Sequence, residues 1–151
     1  MPLILKSKKL MVSQAEKKMG LKPPALWLSL NPDWEATATK MIFENGMQRS
    51  LTKKEQYEMF GLVRFVLEFK EKELCSWKKY INTTNIPKLG LKRMEIAGIE
   101  KGGNPNEWYA SFNDIPLTHC ICIQKWDGAE WKNYNYTDKE TLISRFKNLF
   151  K

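Results

Sequence analysis

Apolar and polar positions divide this chain into short elements. From Glu107 to Phe112 they alternate: Trp108, Ala110 and Phe112 fall on one face, Glu107, Tyr109 and Ser111 on the other, the period of a strand. Asn104-Pro105-Asn106 precedes it as a turn, Ile115-Pro116 follows in a loop, and Cys120 to Trp126 forms a second strand run. Leu62 to Phe69 also alternates, with Val63, Phe65, Leu67 and Phe69 opposite Arg64, Val66 and Glu68. Ala25 to Leu30 is nearly all apolar, the pattern of a strand buried on both faces, and stops at the turn residues Asn31-Pro32-Asp33. Met41-Ile42-Phe43 is a further strand, closed by Glu44-Asn45-Gly46, and Asp127-Gly128 marks a hairpin between Trp126 and Trp131.

Helical signals are interleaved with these. Thr52-Lys53-Lys54-Glu55 has the spacing of a capping box and predicts a helix to about Phe60, with Gly61 as its stop. Residues 71–80 and 87–101 read as helices, the second closed by Gly102-Gly103, and shorter helical turns are predicted at 2–9 and 13–18. Trp34 to Lys40 reads as a crossing segment in which Thr37 and Thr39 disfavour helix. A second capping box at Thr137 precedes Leu142, Ile143, Phe146, Leu149 and Phe150 at helical spacing. The expected fold class is α+β: a single domain over 1–151 with a central antiparallel or mixed sheet, short helices and an amphipathic C-terminal helix.

Composition narrows the class. A chain of 151 residues, 42% hydrophobic and with six Trp, can bury a core as one domain. A net charge of +8 favours an acidic partner, nucleic acid, nucleotide or acidic protein acceptor, although scattered lysines also suit a plain solvated coat. No run reaches the roughly eighteen apolar residues of a membrane span, so no membrane partner is expected. Three Cys without metal-ligand spacing fit free thiols in a cytoplasmic protein and no metal. His119 stands beside Cys120, but adjacent strand residues face opposite ways, which disfavours a Cys–His pair. Trp77-Lys78-Lys79-Tyr80 suits stacking and phosphate contact on a nucleic acid, or a buried Trp with solvated lysines.

Three segments, in order, resemble parts of the bacterial ADP-ribosyltransferase fold. Leu3 to Leu10 is similar to the helix after the family's first motif. Leu26-Trp27-Leu28-Ser29 resembles its strand ending in Ser, and Glu107 to Ser111 with Ile115-Pro116 and Cys120 to Ile123 looks like its Glu-bearing strand, loop and return strand. The chain also resembles small bacterial proteins with a Trp-x-Ser…Trp-Glu-x-Thr-Ala pattern, here Trp27, Ser29, Trp34, Glu35, Thr37 and Ala38. The first resemblance implies an NAD-dependent ADP-ribosyltransferase or NAD glycohydrolase with NAD as substrate. The family's first NAD-binding motif would precede Leu3, so the resemblance implies either a start further upstream or a domain missing its N-terminal strand and the NAD-holding residue on it.

In that reading Glu107 is the catalytic carboxylate, stabilising the oxocarbenium-like charge that develops as nicotinamide leaves. Ser29 supports the glutamate or the nicotinamide ribose. Tyr57 and Tyr109 stack on the ring, with Phe60 a weaker candidate. Arg64 meets the pyrophosphate in preference to Arg49. Gln124 reads as a polar edge residue. The alternative is a non-catalytic module that binds a nucleotide, nucleic acid or protein through its basic surface.

Overall fold

The computed structural model describes residues 2–70 and 73–134. The expected C-terminal helix lies outside them. Within them the class is α+β, as the patterning predicts, and the strands fall into four small antiparallel groups where one central sheet was expected. Each strand is short, the longest being Cys120–Trp126. Prolines and turns end most of the others before a wide sheet can be built.

The first group carries the core. Leu26–Ser29 (β2 of the chain, after β1 at Lys9–Leu10) pairs with Trp108–Ser111 (β7), which also pairs with Cys75–Ser76 (β6). The expected burial of β2 on both faces is not found: Trp27 is 37% exposed and Leu30, just past its end, 61%. Over residues 73–80 the structure also differs from the predicted helix. Cys75 and Ser76 pair with Ala110 and Tyr109, and α-helix begins only at Trp77 (Trp77–Tyr80, α4). Ladder bonds to an established strand outweigh a weak local preference for helix.

Against this sheet lies the longest helix of the described residues, Lys88–Glu100 (α5). It ends as the glycines predict: Gly102 has φ of 89°, its N–H donates to Ile99 and the Gly103 N–H donates to Gly98. Ala25, Trp77, Tyr80, Leu91, Trp108 and Ala110 form the buried cluster between these elements.

The second sheet joins Val63–Leu67 (β5), Cys120–Trp126 (β9) and Trp131–Tyr134 (β10), with β9 in the middle. The Asp127-Gly128 hairpin is present, closed by Asp127 Oδ1 accepting from the Ala129 and Glu130 N–H groups. His119 ends a 3₁₀ turn before β9 and stacks on Phe69. At the N-terminus Pro2–Ser7 (α1) is shorter than expected. Lys8 takes a positive φ and turns the chain into β1, which pairs with Ile115–Pro116 (β8). A short helix, Gln14–Lys18 (α2), then follows its Ser13 cap.

Met41–Glu44 (β3) and Met47–Ser50 (β4) form a separate hairpin whose turn residues, Asn45 and Gly46, both have positive φ. The following helix, Lys53–Phe60 (α3), has the full capping box: Thr52 Oγ accepts from the Glu55 N–H and Glu55 accepts from the Thr52 N–H. Arg49 on the hairpin grips the same carboxylate through two nitrogens, at 2.9 and 3.1 Å. The Arg49 guanidinium, helped by the Thr52 N–H and hydroxyl, holds the Glu55 carboxyl down at about 2 from an ordinary 4.5. A depressed folded-state value means stability that is present above pH 4.5 and lost as pH falls toward 2. The melting temperature should therefore decline across that window, and Glu55→Gln should flatten the decline. An identical slope in the variant would show that this carboxylate does not govern it.

Candidate binding pocket

An apolar-walled pocket of about 340 Å³ lies between β2 and α5. Register decides what enters it. Directly opposed residues of an antiparallel pair share a face, and Ser29 is opposite Trp108 while Trp27 is opposite Ala110. Ser29, Trp27 and Trp108 therefore face the same side and line the pocket, with Trp77 from α4 and Met94 from α5. Trp77 meets Trp108 edge-on at 5.5 Å and lies 5.9 Å from Trp27.

The polar end comes from the crossing segment. Ser29 Oγ donates to Glu35 Oε2 at 2.8 Å and itself accepts from the Asn31 N–H. Thr37 donates to Glu35 Oε1 through its hydroxyl at 2.7 Å and its N–H at 3.2 Å. Glu35 is thus held from both oxygens. A carboxylate offers about four acceptor positions, so one on Oε2 remains for a further donor. Gly103 makes room for this group: a Cβ there would lie 3.1 Å from Glu35 Oε1 and 2.8 Å from Trp108.

Of the residues expected to form an NAD site, the structure brings only Ser29 to this pocket. Glu107 does not line it. It closes a 3₁₀ turn, Pro105–Glu107, ahead of β7, where Asn104 Nδ2 donates to its Oε1 at 3.1 Å. Its backbone carbonyl accepts from Leu30, so it neighbours Ser29 along the ladder, but it belongs to the turn ahead of β7 and not to the strand whose register faces the pocket. Its Oε2 is buried without a hydrogen-bond partner among the described residues. Tyr109 is buried on that other face.

The remaining candidates belong to the second sheet or to the hairpin. Tyr57 donates from α3 to the Asp127 carbonyl at 2.9 Å. Arg64 donates to Gln124 Oε1 and to the carbonyls of Pro32 and Asp33, and packs on the Trp131 ring. Arg49 is held by Glu44 and Glu55. Gln124 is therefore an orienting partner of Arg64 as well as a ladder residue.

The sequence places Glu35 and Thr37 in the Trp-x-Ser…Trp-Glu-x-Thr-Ala pattern without giving them a role. The signal was there: Ser29, Glu35, Thr37 and Ala38 all line the pocket, as does Trp27. Only Trp34 of that pattern turns away, toward the second sheet, where it stacks on Trp131.

The basic-aromatic cluster divides as well. Trp77 and Tyr80 are buried, whereas Lys78 and Lys79 line an open groove of about 830 Å³ beside β6. Cys75 also lines that groove, and burial pushes its thiol up, away from the reactive thiolate. The described residues contain no group of ligating side chains able to hold a metal ion and no helix long and apolar enough to cross a membrane. In comparisons with family models, curated proteins and solved structures, nothing matches this chain.

Proposed function

We propose that this protein binds a planar nitrogen heterocycle of nucleotide type in the pocket between β2 and α5, with the nicotinamide end of NAD as the leading candidate. The observation that carries the reading is the combination of three indole rings with one pre-oriented carboxylate, Glu35, at the closed end. Indole faces stack on flat rings, and most readily on a cationic N-alkylpyridinium. The carboxylate opposes the same positive charge and accepts from a ring amide or a ribose hydroxyl. At about 340 Å³ the pocket suits one ring with part of its sugar, leaving a dinucleotide's remainder outside.

Glu35 then stands where the resemblance to transferases had put Glu107. Its position beside a ribose would stabilise positive charge developing at the sugar carbon as nicotinamide departs. Binding without turnover is the simpler form of the same reading, since a ring slot and one acceptor suffice for it.

Titration of the purified protein with NAD and with nicotinamide mononucleotide, followed by tryptophan fluorescence and calorimetry, tests this. Glu35→Gln should weaken binding by about 10- to 100-fold, the loss typical of a hydrogen bond to a charged group. Glu107→Gln should leave affinity unchanged. Equal affinity in wild type and Glu35→Gln would remove Glu35 from the site. NAD consumption abolished by Glu107→Gln but not by Glu35→Gln would return the catalytic role to Glu107. Binding of an oligonucleotide that falls steeply with salt, with no response to NAD, would favour the basic-surface alternative.

A further inference from the structure

A second arrangement, independent of the pocket, lies where the crossing segment meets the β5–β9–β10 sheet. The Lys53 ammonium sits 3.4 Å from the centre of the Trp126 ring and 5.7 Å from the centres of both Trp34 and Trp131. Trp34 and Trp131 are stacked, and Trp126 meets Trp131 edge-on at 5.3 Å across a β9–β10 pair. Three indoles from two separate segments therefore flank one cation, Trp126 by close face contact and the stacked pair from further off, and the Arg64 guanidinium also lies over Trp131, 4.4 Å from its ring centre. Asp33 supplies the anionic rim, its Oδ1 3.5 Å from Nζ.

The walls are fixed independently of the lysine. Trp131 donates from Nε1 to the Asp33 carbonyl at 2.9 Å, and Arg64 ties that carbonyl and its neighbour at Pro32 to β5. Tyr57 ties the hairpin to α3. Lys53 is held by none of these bonds. It is the first residue of α3, on a flexible four-carbon stem, and its side chain keeps 25% exposure.

The occupant also matches the box imperfectly. A primary ammonium carries three N–H donors and is strongly hydrated. Among the described residues Nζ has one ion-pair partner, at 3.5 Å, and otherwise ring faces. Indole faces satisfy positive charge but accept N–H groups poorly. An alkylated ammonium has the same charge, few or no N–H groups to satisfy and a smaller desolvation cost, which is why aromatic boxes favour it.

We infer that Trp34, Trp126, Trp131 and Asp33 form a recognition site for a trimethylammonium group, and that Lys53 is a tethered occupant which the ligand displaces. The ligand is either a free choline-like molecule or a trimethylated lysine side chain of a partner. Lys53 makes the site self-closed: it covers the rings until a better-matched cation arrives.

The test uses the full chain, with tetramethylammonium, choline and a trimethyllysine peptide as probes at constant ionic strength. Lys53→Ala should bind all three about tenfold or more tightly than wild type, because the internal competitor is gone. Trp126→Ala should abolish binding in either background. In wild type, the Lys53 side-chain methylene resonances should be shifted upfield by the rings and return to ordinary positions at saturation. That measurement needs no variant and covers the case in which Lys53→Ala folds poorly.

Tight peptide binding with weak choline binding identifies a protein-borne group, and the reverse a free amine. Either supports the site. Lys53 resonances unmoved by saturating probe, or 3,3-dimethylbutanol (the uncharged isostere of choline) binding as well as choline, would overturn it.

Discussion

Gly98→Ala is expected to destabilise the protein by about 1–3 kcal/mol, the usual cost of forcing an extra carbon into a packed interior. Helix propensity alone predicts the opposite, a gain of up to about 1 kcal/mol for Ala over Gly within a helix. The two effects are separable because the structure gives the distances. A Cβ on Gly98 would lie 2.4 and 2.9 Å from two ring carbons of Trp108. Trp108 is 8% exposed and pressed edge-on against Trp77, so its rigid ring can give way only toward the pocket it lines. Gly90 in the same helix is the control. The nearest atom to its added Cβ is a methyl of Ile86, at 3.3 Å. Gly90→Ala should be neutral or mildly stabilising. Urea denaturation of the two variants decides the matter: Gly98→Ala as stable as wild type would show that Trp108 does not occupy this notch. Because Trp108 also lines the pocket, ligand affinity should fall together with stability in Gly98→Ala and remain intact in Gly90→Ala.

Trp77→Ala should cost more, about 3–5 kcal/mol, as is typical for removing a large buried aromatic. Trp77 is 5% exposed and packs with Trp27, Tyr80 and Trp108 at once. Its indole N–H donates to the Glu95 carboxylate on α5, so the truncation also strips a half-buried acceptor of its donor. Trp77→Phe should restore most of the packing but not that bond, placing its stability between the two. A Trp77→Ala protein with wild-type stability but weakened, salt-dependent nucleic-acid binding would instead mark Trp77 as a stacking platform. The burial of both Trp77 and Tyr80 argues for the core role, with only Lys78 and Lys79 presented to a partner.

The crossing segment links the two candidate sites. Consecutive residues there serve different sheets: Trp34 stacks in the box around Lys53, and Glu35 faces the pocket with Ser29 and Thr37. Asn31 fixes where the segment departs, its Oδ1 accepting from the N–H groups of Asp33 and Trp34. The segment has no helix or strand of its own, so its shape rests on these side-chain bonds and on Arg64. Propensity could therefore say where it begins, at Asn31-Pro32, but not which of its side chains faces which sheet.

Local chemistry by itself determined much of this protein. Thr52 and Glu55 determined the start of α3, Gly102-Gly103 the end of α5, Asp127-Gly128 the β9–β10 hairpin, and alternation the β5 and β7 strands, because each depends on residues a few positions apart. It also marked Ser29, and the Trp27-to-Ala38 pattern, as worth examining. Tertiary structure decided the rest. Only antiparallel register showed that Ser29 shares a face with Trp108, and only the path of the crossing segment brought Glu35 to it as the carboxylate it meets. Only packing showed that Gly98 and Gly103 form the notch that receives Trp108. And only the approach of residues far apart in the chain gathered Trp34, Trp126 and Trp131 around Lys53. A one-residue offset reverses a side chain's face, and the offset between two distant strands is set by the whole fold, so no local pattern can encode it.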